Sequence, residues 1–89
     1  MDQKHWDTIE VAHNKVKAHY DKLVADNGND FAAKNWLSDV GLKQHSLSHP
    51  VEMMAEIFYH YVTAPYDYSS EISVRKFREF TSLDLDTIL

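Results

Sequence analysis

Trp6-Asp7-Thr8-Ile9-Glu10-Val11-Ala12-His13-Asn14-Lys15-Val16-Lys17-Ala18-His19-Tyr20-Asp21-Lys22-Leu23 is the stretch that decides the fold class. Within it Trp6, Ile9, His13, Val16, Tyr20 and Leu23 recur at alternating spacings of three and four, which puts them on one face of a helix. The pattern extends to a first helix from about Asp2 to Asn27, where Asn27-Gly28 supplies a left-handed stop. At ~1.5 Å of rise per residue it is roughly 37 Å long, comparable with the diameter of a whole domain of this size.

The following segments read as further helices. Phe31 to about Asp39 carries Phe31, Ala32, Ala33, Trp36 and Leu37, with Asn29 or Asp30 placed to cap it. It ends in Val40-Gly41-Leu42, where Gly41 suits the left-handed position and Leu42 folds back on Leu37. Lys43 to His49 is polar and reads as a connection, with Ser48 or His49 capping a third helix that starts near Pro50. That helix, Val51 to about Thr63, has Val51, Met54, Ala55, Phe58, Tyr61 and Val62 on one face, while Met53, Ile57 and Tyr59 lie elsewhere around it. A helix apolar over most of its circumference is central to a bundle or covered by a partner, so this is the expected core helix. Ala64-Pro65 closes it, and Tyr66 to Ser70 reads as a loop. A fourth helix runs from about Glu71 to Phe80, anchored by Ile72, Phe77 and Phe80. Ser82 to Leu89 fits either a last helical turn or, through the alternation Leu83-Asp84-Leu85-Asp86, an extended strand. The expected fold is therefore all-α, a compact bundle of four helices with a short fifth at the C-terminus as one of these two readings, and residues 1–89 form a single helical domain.

Composition agrees. A chain of 89 residues has room for one core, and Gly 2 and Pro 2 are too few for the frequent turns of an all-β domain. Cys 0 excludes disulfides, thiol catalysis and cysteine-based metal sites. The opening residues Met1, Asp2, Gln3, Lys4 and His5 are polar and no apolar run approaches the ~20 residues of a membrane span, so cytoplasmic residence without a membrane is the expectation. The net charge of -5 is spread along the chain. Nucleic-acid binding needs a concentrated basic surface, and only the small cluster Arg75, Lys76, Arg78 departs from the acidic background, which disfavours that partner.

Six histidines call for a metal reading. Glu10 and His13 stand three apart, the offset used by di-iron bundles, and Glu52, Glu56 and His60, four apart along the third helix, could complete a site if that edge faced the first. The competing reading makes His13 a half-buried seam residue and Glu52, Glu56 and His60 a solvated stripe; a single such motif carries little weight, so no metal or cofactor is assigned. His45 and His49 are read as loop histidines, since Ser46, Ser48 and Pro50 oppose a helix there. No glycine-flanked serine elbow or glycine-rich phosphate loop occurs, and the serines sit where caps and turns are expected.

Trp36-Leu37-Ser38-Asp39-Val40-Gly41-Leu42 resembles the opening of a SAM domain, a helical protein-interaction module, and Thr81, Asp84 and Leu85 resemble a later motif of that family. The likeness covers about ten residues, the two pieces stand farther apart than in that family, and helix-ending chemistry at Gly41 accounts for it. No role is carried over.

Eleven aromatic residues exceed what a short bundle must bury, and tyrosine is a favoured contact residue because it joins a large area to a polar tip. Tyr66 and Tyr68 flank Asp67, and Tyr59 extends the same surface if it points away from Phe58. Tyr59, Tyr66, Asp67 and Tyr68 are thus the candidate partner-binding residues; the alternative has Tyr66 or Tyr68 folding back as a lid on the bundle. The expected function is a small acidic module without enzymatic activity that binds a larger protein partner as an inhibitor, immunity-type or regulatory factor. The other readings are a helical metal or cofactor carrier built on Glu10, His13, Glu56 and His60, and a self-associating subunit forming a homodimer through the Trp6 to Leu23 face.

Overall fold

The periodicity around Trp6 is realised as one long helix, α1 (Gln3–Asn27). The computed structural model describes residues 3–89, so Asp2, the expected first residue of that helix, lies outside the described residues. After α1 come α2 (Phe31–Asp39), a single 3-10 turn (Gln44–Leu47), α3 (Pro50–Thr63), α4 (Tyr68–Thr81) and the short α5 (Leu85–Ile88). Among the described residues there is no strand, and the helices share one core, which is the all-α bundle expected. The longest dimension of the molecule is 37 Å, about the length of α1 itself.

Local chemistry sets the helix ends. Gly28 takes φ 72° after α1, and Asn29 Oδ1 accepts from the Phe31 amide at 3.0 Å to start α2. At the end of α2 the Leu42 amide donates to the Leu37 carbonyl and the Gly41 amide to the Ser38 carbonyl, both at 3.0 Å, the paired bonds of a Schellman motif. Gly41 has φ 80°, and a Cβ there would lie 3.0 Å from both His60 Cδ2 and Ser73 Cβ. The missing side chain is what lets α2 end directly against α3 and α4. His49 caps α3 by accepting from the Val51 amide at its Nδ1, 3.1 Å, with Pro50 in the first turn.

α4 starts three residues earlier than its apolar pattern indicates. Asp67 Oδ1 accepts from the Ser69 amide at 3.0 Å, so Tyr68, Ser69 and Ser70 are helical rather than a loop. Ser70 and Ser73 are correspondingly not caps: both are buried inside α4, where their small volume permits close packing. The C-terminal alternative resolves as helix. Asp84 accepts from the Thr87 amide and hydroxyl, and Leu83 and Leu85 are buried in the core.

Ile9, His13, Val16 and Tyr20 of the α1 seam are buried with Leu37, Met53, Ile57, Phe77 and Leu85. The Trp6 to Leu23 face therefore covers the chain's own interior and does not offer a free seam to a second copy. The 3-10 turn is tied down by α1: His13 Nε2 donates to the Ser46 carbonyl at 2.8 Å and Gln44 Nε2 donates to the Tyr20 hydroxyl at 2.6 Å.

α3 is turned relative to expectation. Of the expected core face Met54 is buried and Tyr61 packs against the core, whereas Val51, Ala55, Phe58 and Val62 are exposed and Met53 and Ile57, expected elsewhere, are buried. The helix carries two overlapping apolar stripes, so periodicity cannot choose between them. Packing chooses: Ile57 Cδ1 lies 3.4 Å from the place a Cβ would take on Gly41, in a junction whose other wall is Ser73.

Candidate interaction surface

With Met53 and Ile57 turned inward, Val51, Ala55, Phe58 and Val62 follow one another at spacings of four, three and four along the outer side of α3 and form a continuous stripe. Val51 is 54% exposed, and Phe58 and Val62 48% each. Tyr59 stands beside the stripe with its ring edge-on to His60 at 5.1 Å between centroids. Tyr66, in the turn after α3, is 90% exposed, and Tyr68 at the start of α4 is also exposed, so neither folds back as a lid. Tyr68 instead borders a shallow groove of about 300 Å³ together with Asp39, Ile72 and Lys76. Asp67 is committed to capping α4, which fixes where Tyr68 emerges.

Charged groups line both edges of this face. On one edge the His45 ring lies between two carboxylates, Nδ1 at 3.3 Å from Glu52 Oε2 and Nε2 at 2.8 Å from Glu56 Oε1. An imidazolium donates to both, whereas a neutral ring donates to only one. On the other edge Asp86 Oδ1 accepts from the Tyr61 hydroxyl and from Arg78 Nη2, each at 2.7 Å. The Tyr61 hydrogen bond, followed by the Arg78 contact, holds the Asp86 carboxyl below the usual carboxylate range. The same bond to Asp86 holds the Tyr61 phenol above its ordinary value. Behind this edge an open groove of about 550 Å³ runs between Ala64 and Pro65 on one side and Val74, Arg75 and Arg78 of α4 on the other. Its charges are internally matched, since Arg75 pairs with Glu71 at 3.4 Å and Arg78 with Asp86. The basic cluster of α4 is thereby largely neutralised.

Glu10, His13, Glu56 and His60 do not converge. Glu10 is exposed, His13 serves the Ser46 carbonyl, Glu56 serves His45, and His60 Nδ1 shares a hydrogen bond with Ser70 Oγ at 2.9 Å. Among the described residues no group of three or more His, Asp or Glu is placed to hold a metal ion. The His60–Ser70 pair has the residue types of a nucleophile and its base, but Ser70 is 1% exposed and its hydroxyl joins α3 to α4. Among the described residues no helix is long and apolar enough to cross a membrane.

Sequence reasoning placed Tyr59, Tyr66 and Tyr68 on the surface but missed Val51, Phe58 and Val62. The available signal was the surplus of apolar residues on α3, more than one buried side of a helix can use. Comparison with protein-family models, with curated proteins and with solved structures finds no match to this chain.

Proposed function

We propose that this chain is a protein-binding module without catalytic activity of its own, an inhibitor, immunity-type or regulatory factor that occupies a surface of a larger protein through the outer face of α3 and the tyrosines that follow it. The observation that carries the reading is the exposed row Val51, Ala55, Phe58 and Val62 along α3, in a chain that also exposes Tyr59, Tyr66 and Tyr68. A contiguous apolar patch rimmed by charge is what interaction sites present, and exposed tyrosines add contact area with little loss of rotamer freedom. The acidic excess speeds approach to a basic partner.

The test is capture from native lysate on immobilised full-length chain, run beside the double variant Phe58→Ser with Tyr66→Ser. A protein retained by the parent chain and lost by the variant is the expected result. Retention that is indifferent to both substitutions overturns the choice of surface, and turnover of a small molecule by the purified chain overturns the non-catalytic reading.

A further inference from the structure

We propose that the occupant of this face is an amphipathic helix of the partner protein, apolar along one stripe and basic along the flank that meets Glu52 and Glu56. The proposal rests on the reading of the α3 outer face as the binding surface and specifies what that surface takes.

The shape of the stripe points to a helix. Val51, Ala55, Phe58 and Val62 make a single row over twelve residues of α3, about 17 Å from first to last, or three turns. A row at these spacings is the ridge that a second helix packs against, and Ala55, small between Val51, Phe58 and Val62, leaves the hole a partner side chain needs. An extended strand would need a free sheet edge to pair with, and among the described residues there is no strand.

Charge sets the composition of that helix. Along the Glu52 edge two carboxylates are served by one imidazole, His45, and among the described residues no lysine or arginine pairs with either. The guanidiniums nearest the other edge are already matched, Arg78 by Asp86 and Arg75 by Glu71. The unmet charge at the stripe is therefore negative, in a chain of net charge -5. Lysine or arginine on the incoming flank reaches Glu52 and Glu56 and replaces the single imidazole contact with charge-assisted bonds. A second copy of this chain fits poorly, because an antiparallel two-fold pairing sets the Glu52 edge of one helix against the same edge of the other. An anionic lipid surface is repelled by the same carboxylates.

The experiment titrates three synthetic peptides of about 18 residues onto the full chain: a leucine-striped helix flanked by lysine, the same stripe flanked by glutamate, and a scramble of the lysine peptide that has no stripe. The lysine-flanked helix is expected to bind at least tenfold more tightly than either of the others. Phe58→Ser should weaken it at least tenfold, and Glu52→Gln with Glu56→Gln should weaken it several-fold and flatten its dependence on salt. Phe58 is exposed, so the variant should keep the parent far-UV circular dichroism; if it does not, Val62→Ser takes its place. Equal binding of the lysine and glutamate peptides, or lysine-peptide binding indifferent to the α3 substitutions, overturns the proposal. So does a concentration-dependent dimer by light scattering that Phe58→Ser abolishes, or co-sedimentation with anionic vesicles. If the peptides fail while lysate capture still depends on Phe58 and Tyr66, the occupant is wrong and the surface stands. If both fail, the surface itself is wrong.

Discussion

His13 and Ser46, far apart in the chain, meet inside the core, where the His13 imidazole donates to the Ser46 carbonyl at 2.8 Å. Both residues are buried, so no water is at hand to replace the bond. The contact makes the 3-10 turn a part of the core and gives α3 its starting position.

Replacing His13 by leucine keeps the bulk and removes the donor, leaving the Ser46 carbonyl buried without its partner. The expected loss is about 1–3 kcal/mol of stability, and for a domain of this size each kcal/mol lowers the melting temperature by about 4–8 °C. Thermal unfolding followed by circular dichroism measures it, and an unchanged midpoint refutes the role given to this bond.

The two glycines should respond differently to alanine. Both have positive φ, but a Cβ on Gly28 meets open space whereas one on Gly41 meets His60 and Ser73. Gly28→Ala is expected to cost about 1–2 kcal/mol from backbone strain alone. Gly41→Ala adds overpacking of about 1–3 kcal/mol. Urea midpoints of the two variants should therefore separate, with Gly41→Ala the lower.

The two sides of α3 should separate in the same way. Ile57→Ala removes a fully buried side chain and should cost about 2–5 kcal/mol. Phe58→Ser and Tyr66→Ser, on the exposed side, should stay within about 0.5 kcal/mol of the parent chain. A large destabilisation by Phe58→Ser would mean that the outer face contributes to the core after all.

Docking of α5 should depend on pH through Asp86. Its carboxyl is held below the ordinary value in the folded chain, so the stabilisation is present in full above that value and is lost as pH falls through the lowered one, below about pH 4. Tyr61 works in the opposite sense: its phenol is held above the ordinary value, so its contribution is present below about pH 10 and is lost as the pH rises further. The protection factors of the Ile88 and Leu89 amides should fall at the acid end, and Asp86→Asn should remove most of that dependence.

How much of this was legible in the sequence depended on whether a local rule had a rival. Gly28, Gly41, His49 and Pro50 act through their own backbone or cap geometry, and the ends they set were read almost to the residue. The start of α4 was missed because Asp67 was weighed with its tyrosine neighbours as a contact residue, when its carboxylate is a cap. The inward side of α3 was illegible for a different reason: Ile57 and Phe58 are both good core residues, and only the tight space over Gly41 and Ser73 discriminates between them. The same ambiguity hid the stripe, whose exposure follows from which of the two is chosen. The metal reading found no assembled group among the described residues, since His13, Glu56 and His60 turn to the Ser46 carbonyl, His45 and Ser70, which a spacing of three on α1 cannot foretell.

The anchoring of α3 also bears on how anything docks to it. His49 secures one end, Tyr61 ties the other to α5 through Asp86, and Met53 and Ile57 fix its rotation. An arriving molecule thus meets a template that is already folded and oriented, and little conformational freedom remains to be surrendered on this side of the complex. Under the proposed docking, contact area made there would convert to affinity with a small entropic loss on this chain's side, and no folding step of α3 would limit the rate of capture.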